Sequence, residues 1–242
     1  MPDGSPSLPP AVILCGGAGT RLRAEAPSTP KPLVEIGGRP ILWHVIQLFL
    51  AQGFSDVLLV TGFRGDAIER FATTEPWRSG ATVRCQWTGN QTPTGGRLRR
   101  ATEVLDAPTV CVTYADGLSD IDLGRLVAYH RSHSSPATMT VVRPELPFGV
   151  AELDGDGVVC GFEEKPRSER WINGGFFCFE RDVLEQLKPH STLEREPLAR
   201  LAAAGELRAF RHAGFWRCMD TNKDAVALND LWASGSAPWK IW

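Results

Sequence analysis

The chain has 242 residues, 26 basic against 28 acidic side chains, a formal net charge of −2 and 43% hydrophobic residues. That length suits a single α/β domain and the composition excludes bulk disorder, while the balanced charge carries no footprint for nucleic acid or an anionic membrane. No run approaches the ~18 apolar residues of a membrane span. The six cysteines are scattered with no CxxC pair, so neither a disulfide framework nor a zinc site is expected and a cytoplasmic location is.

Residues 1–10 are Pro/Ser-rich, without the basic start and apolar run of a signal peptide, and are expected to be a flexible lead into one domain over 11–242. Residues 11–15 (AVILC) form a short apolar run stopped by Gly16, the pattern of a buried parallel strand. A Gly-rich loop follows, and Pro40 opens an amphipathic helix (ILWHVIQLFLAQGF) that Gly53 ends. Strands are expected at 56–60, 82–87 and 109–114, with helices at 64–71 and 97–105 and a polar loop over 89–96. Farther on, short strands at 137–142, 149–153, 158–163 and 176–179 are joined by turns such as Asp154-Gly155-Asp156-Gly157. Helices at 181–187 and 196–204, a strand at 207–211 and a terminal helix at 222–234 complete the chain. The alternation predicts a Rossmann-like, mixed and mostly parallel sheet flanked by helices, with a small β-rich elaboration. His44, in an apolar helix, reads as a satisfied core residue, and Trp239 and Trp242 as covering an edge or a subunit contact.

Gly16-Gly17-Ala18-Gly19-Thr20-Arg21 follows the first strand. Glycines there let the backbone approach an anion, at the strand end where open α/β sheets bind nucleotides. A Walker loop is absent, and a dinucleotide fingerprint fails because Pro27, Pro30 and Pro32 prevent the helix it needs. The loop leads instead to Lys31, one of only five lysines, held between two prolines. These residues suit a triphosphate; the alternative is a surface turn. Asp116 ends a buried strand and reads either as a Mg²⁺ ligand or as a turn or cap residue. Asp220 reads equally well as the N-cap of the last helix, and Asn173-Gly174-Gly175 as a plain hairpin turn. Asp120 and Asp122 are the better caps for the helix near Leu123.

The combined pattern LCGGAGTRL…STPKPLVEIGG, continued in order by TYADG, FGV, FEEKP, NGGFF and MDT, resembles the sugar-1-phosphate nucleotidyltransferases over nearly the whole chain. Within them TGGRLRR, EREPL, GFW and the APWK ending are most similar to the glucose-1-phosphate cytidylyltransferases. The resemblance implies transfer of a cytidylyl group from CTP to a sugar 1-phosphate with release of pyrophosphate. It places the nucleotide against Leu14, Gly16, Gly17, Gly19, Thr20, Arg21 and Lys31, with the base read at Thr94, Gly96 and Arg97. It makes Asp116 and Asp220 joint ligands of Mg²⁺, a pairing that spacing alone does not supply. It gives the acceptor phosphate to Lys165 and the sugar to Gly149, Glu164, Asn173 and Gly174. It also implies a homo-oligomer, with small molecules rather than nucleic acid or membrane as partners.

Two stretches depart from that pattern. The segment between Phe71 and Gly89 is shorter than the relatives' segment, which takes part in subunit contacts near the nucleotide loop. Arg143-Pro144-Glu145-Leu146 differs from what glucose enzymes carry. Another nucleoside triphosphate (GTP, UTP or dTTP), a heptose or modified hexose 1-phosphate, and a non-catalytic nucleotide-sugar sensor are therefore the alternatives.

Overall fold

In the computed structural model, which describes residues 7–17 and 29–242, strand β1 (Ala11–Leu14) is buried along its length. Its side chains alternate between two cores: Ala11 and Ile13 join one, Val12 and Leu14 the other. A strand covered on both faces must be apolar throughout, which is why AVILC reads as a continuous run. β4 (Asp56–Thr61), β5 (Thr82–Trp87) and β6 (Thr109–Tyr114) complete a parallel group in the order β5-β4-β1-β6. β8 (Ala137–Val142), β11 (Ile172–Glu180) and β12 (Leu207–Arg211) extend it to seven strands, ending β6-β11-β8-β12. β11 runs antiparallel to both its neighbours, and β12 runs parallel to β8. The sheet is thus the expected mixed, mostly parallel one.

On one face lie α1 (Ile41–Ala51), α4 (Leu123–Arg131) and α7 (Asn222–Ala233), and on the other α3 (Thr94–Ala101), α5 (Arg181–Glu185) and α6 (Glu196–Ala203). A further helix, α2 (Gly65–Thr74), packs Ile68 and Ala72 into the first core. His44 of α1 is fully buried, its Nε2 2.8 Å from the Ile36 carbonyl and its Nδ1 accepting from Trp239 Nε1 at 3.3 Å. It is the satisfied core histidine expected. Trp239 is itself buried in that core, while Trp242 is partly exposed. Asp122 caps α4 by accepting from Arg125 N, whereas Asp120 pairs with His212 at 3.0 Å instead of capping.

Other expectations need correction. α3 starts at Thr94, three residues before the expected start at 97, with Gly95 and Gly96 inside it. Those glycines are needed for packing: a Cβ at Gly96 would stand 2.1 Å from the Pro189 carbonyl oxygen and one at Gly95 2.6 Å from Ser191 Oγ. Asn173-Gly174-Gly175 is no hairpin turn; it lies within β11, where Gly175 has φ +79° and the register against β8 shifts between Asn173 and Phe177. Asp220 is not the cap of α7. Thr221 is, in a capping box with Asp224.

Two small ladders escape sequence reading, and a third, a hairpin, stands where expected. β2 (Glu35–Ile36) pairs with β3 (Arg39–Pro40), and β7 (Gly117–Ser119) pairs antiparallel with β13 (Trp216–Cys218). β9 (Val150–Leu153) and β10 (Val159–Glu163) form a hairpin separate from the main sheet. Its turn is set by Asp154 Oδ1, which accepts from Asp156 N and Val158 N at 3.0 and 2.9 Å. Every residue of β9 is exposed. None of the helices among the described residues is long and apolar enough to cross a membrane.

Candidate active site

The parallel strands β1 and β6 end side by side and deliver Gly16-Gly17 and Asp116 to one crevice. Gly16 is buried because the Arg97 guanidinium lies on it: a Cβ there would fall 2.0 Å from Arg97 Cζ. Arg97, 3% exposed, donates from Nη1 to the Thr61 carbonyl and Thr88 Oγ1 at 2.7 and 2.6 Å, and from Nη2 to the Gly16 carbonyl at 2.9 Å. It ties the ends of β1, β4 and β5 to α3. With both Nη groups engaged by protein oxygens, the arginine expected to read a base stands here as a strut. Next to it opens a cavity of about 390 Å³ lined by Leu14, Gly16, Gly17, Lys31, Thr94, Arg97, Tyr114 and Asp116, among others. Gly96 faces residue 189 instead. Gly19, Thr20 and Arg21 lie outside the described residues.

Tyr114 lines the cavity without having been anticipated, and Glu194 stands behind it. Tyr114, the last residue of β6, donates its hydroxyl to Glu194, whose other oxygen accepts from Thr94 Oγ1 at 2.7 Å. Leu193 N in turn donates to Thr94 Oγ1 at 2.9 Å. Burial, and then the neighbouring Glu194 charge, push the Tyr114 phenol well above its usual range, so it remains a donor at neutral pH. The available signal was the EREPL segment, which begins at Glu194.

Asp116 and Asp220 do meet, across 104 positions. The Gly117–Cys218 pairing of β7 and β13 and the Met219 N to Asp116 O bond of 2.9 Å bring the two backbones together. Because Thr221 rather than Asp220 caps α7, the Asp220 carboxylate is directed inward. Lys31 Nζ lies 2.5 Å from Asp116 Oδ2 and 2.6 Å from Asp220 Oδ1. Pro30 and Pro32 hold this lysine in a 3₁₀ turn, where Leu33 N donates to the Pro30 carbonyl. Burial disfavours the ammonium, but the Asp116 charge and the hydrogen bonds to both carboxylates outweigh it and raise the Lys31 pKa. The donor set fits a hard divalent cation: two carboxylates already converge on one positive charge, and oxygen ligands are what Mg²⁺ prefers.

Beyond Asp220 runs a groove of about 1390 Å³ whose wall includes Phe148, Glu163, Lys165, Cys218 and Lys223. Lys165 lines it in a left-handed conformation, φ +50°, which costs an L-residue about 1 kcal/mol; strain of this kind gathers at functional sites. Glu164 Oε1 stands 3.5 Å from Lys165 Nζ. Gly149 is seated under Phe162, whose ring a Cβ would meet at 2.4 Å. Asn173 and Gly174 are engaged within the protein: Asn173 Oδ1 accepts from Gly175 N at 2.8 Å, and the Gly174 carbonyl from Trp216 Nε1 at 2.7 Å.

Comparison with known proteins identifies the family. The family pattern described as nucleotidyl transferase matches residues 10–217. The glucose-1-phosphate cytidylyltransferase of Salmonella typhi is 39% identical, the match covering 96% of this chain and 99% of that protein. The probable glucose-1-phosphate cytidylyltransferase of Bacillus subtilis (strain 168) is 37% identical over the same shares. HddC from Yersinia pseudotuberculosis, in its crystal structure complexed with GMP-PN, has the same fold, with a TM-score of 0.75 at 22% identity and coverage of 93% of this chain and 100% of that one. The chain belongs to the nucleotidyl transferase family and is a sugar-1-phosphate nucleotidyltransferase.

Proposed function

We propose that the enzyme transfers a cytidylyl group from CTP to glucose 1-phosphate, giving CDP-glucose and pyrophosphate. One observation carries the reading: Asp116 lines the nucleotide cavity, Asp220 lines the acceptor groove, and both close on Lys31. The carboxylate pair therefore stands where two substrates would meet. The names of the relatives of 39% and 37% identity support CTP and glucose 1-phosphate as the pair.

In this reading an oxygen of the sugar phosphate attacks the α-phosphorus in line; one P–O bond forms and the bond to pyrophosphate breaks. The protein's task is alignment and charge neutralisation, with no covalent intermediate. Mg²⁺, held by Asp116 and Asp220, supplies positive charge at the transferring phosphate when bound. Gly16 and Gly17 present backbone N–H groups to the nucleotide, and the resemblance assigns Gly19 and Thr20 to the same ligand. Arg21 and Lys31 offset charge on the triphosphate and on departing pyrophosphate. Leu14 and Thr94 border the nucleoside, Gly96 lets α3 pack closely behind them, and Arg97 fixes the loop beneath it. Lys165 takes the acceptor phosphate, and Gly149, Glu164, Asn173 and Gly174 shape the sugar's side. A homo-oligomer in the cytoplasm belongs to the same reading; the exposed Phe148, Leu153, Val158, Val159 and Phe162 around the hairpin support assembly, since apolar side chains gathered on a surface favour a partner.

The test is pyrophosphate release with Mg²⁺, crossing CTP, UTP, dTTP, GTP and ATP against a panel of sugar 1-phosphates. Release confined to CTP with glucose 1-phosphate is the expected result. Another productive pair overturns the choice of substrates, and silence across the panel points first to an acceptor outside it and only then to a sensor.

A further inference from the structure

Beside the two carboxylates stands a third donor atom that the Mg²⁺ reading leaves unused. Cys218 Sγ and one oxygen each of Asp116 and Asp220 all lie within 4.8 Å of one another. Side chains of an extended segment alternate in direction, so Cys218 and Asp220 share a side while Met219 between them is buried in the core. Pairing of Cys218 with Gly117 sets the sulfur on the Asp116 side of the ladder, within 4.8 Å of a carboxylate oxygen. Cys218 also lines the acceptor groove, so an ion can reach it from solvent. Lys31 Nζ, bound to both carboxylates, shows that the point between them holds a positive charge. Among the described residues this is the one group of three such donors close enough to share an ion.

Sulfur changes which ion is favoured. Mg²⁺ takes oxygen ligands, whereas thiolate selects softer ions such as Zn²⁺. With bonds of about 2.0–2.3 Å, donors around four-coordinate Zn²⁺ stand about 3.5 Å apart, so side-chain movements of about an ångström close the set. Three protein donors would leave four-coordinate zinc a single open position, where Mg²⁺ keeps several for phosphate oxygens and water.

We propose that Asp116, Cys218 and Asp220 form a three-donor site for a thiophilic divalent cation, Zn²⁺ or Cd²⁺, which competes with Mg²⁺ and switches the centre off. On binding, the Cys218 thiol releases its proton to solvent, the sulfur bonds the metal, and the Lys31 ammonium leaves the carboxylates; no electron is transferred. The inference rests on the proposed carboxylate pair but not on the choice of nucleotide or sugar.

The test titrates the metal-stripped full chain with Cd²⁺, without substrates, and follows the ultraviolet thiolate-to-cadmium charge-transfer band. The band is expected in the unmodified protein and in Cys160→Ser, and is expected to be lost in Cys218→Ser and Cys218→Ala, with Cd²⁺ affinity lower by about tenfold or more. Asp220→Asn should weaken Cd²⁺ binding, and added Mg²⁺ should raise its apparent Kd. An unchanged band and affinity in both Cys218 variants overturns the proposal. Because no substrate is present, that result leaves nucleotidyl transfer standing, whereas missing pyrophosphate release with a normal band counts against the substrate reading alone.

Discussion

Around Gly16 the walls of the nucleotide cavity are strand ends and a helix start, tied by an arginine that is 3% exposed and bonded to three protein oxygens. Around Lys165 the walls are the segments 142–148 and 165–167, β13 and a face of α7, beside a hairpin with one strand exposed throughout. Phe148, on the groove, and Phe162, on the hairpin, are 77% and 69% exposed. A groove that must admit varied sugars can be lined by surface segments whose side chains change without disturbing a core. A site that holds a triphosphate needs backbone donors fixed in place, and here that rigidity comes from buried bonds. Substitutions on the nucleotide side should therefore cost fold or chemistry, and those on the acceptor side mainly substrate affinity.

The sharpest trial of that contrast is at the junction. Asp116→Ala should lower kcat/KM by about 10³-fold or more, at least about 4 kcal/mol of transition-state stabilisation, while the melting temperature moves by only a few degrees because Lys31 keeps Asp220. Turnover measured beside thermal unfolding checks it. Arg97→Met should do the reverse, removing about 3–4 kcal/mol of stability by leaving the Gly16 and Thr61 carbonyls and Thr88 Oγ1 unsatisfied; urea unfolding reads this directly.

Acid should also act on the buried side first. Burial, against the Ile36 hydrogen bond, lowers the His44 pKa from 6.5 to about 4, so the fold holds it neutral while the unfolded chain takes up the proton. Its contribution is complete above pH 6.5 and is lost as the pH falls toward 4, a difference of roughly 3 kcal/mol. Unfolding midpoints between pH 7 and 4.5 should drop less steeply in His44→Gln than in the unmodified protein. On the acceptor side, Lys165→Ala should raise KM for the sugar 1-phosphate by about tenfold, near 1.4 kcal/mol, with unfolding unchanged. Smallest of all, Phe162→Thr should change monomer stability by under about 0.5 kcal/mol; a larger loss that depends on protein concentration would show that an assembly covers the hairpin.

The sheet was legible because its strands are apolar runs separated by turn residues, as in residues 109–114, and the α1 core face because its apolar spacing repeats. The meeting of Asp116 with Asp220 was not legible from periodicity. The β7–β13 ladder that joins them is three residues long on each side, too short to show alternation, and only resemblance supplied the pair. α3 was placed late because two glycines at its start resemble a loop, while the 189–191 backbone pressing on them selects glycine. The bonding of Arg97 was hidden for a related reason: a sequence shows a cation beside glycines, not the three strand-end oxygens that surround it. Tyr114 and Glu194 are 80 positions apart, and their hydrogen bond exists only once α6 packs below the sheet.

The β7–β13 ladder also orders events in time. Residues 216–218 must leave the ribosome before Asp220 can stand beside Asp116, and β11 must insert between β6 and β8 before that part of the sheet is whole. A nascent chain stopped after β12 would already carry the end of β1, Lys31 and Asp116, and thus much of a nucleotide pocket. It would lack the second carboxylate, so the capacity to transfer is among the last properties the growing protein acquires.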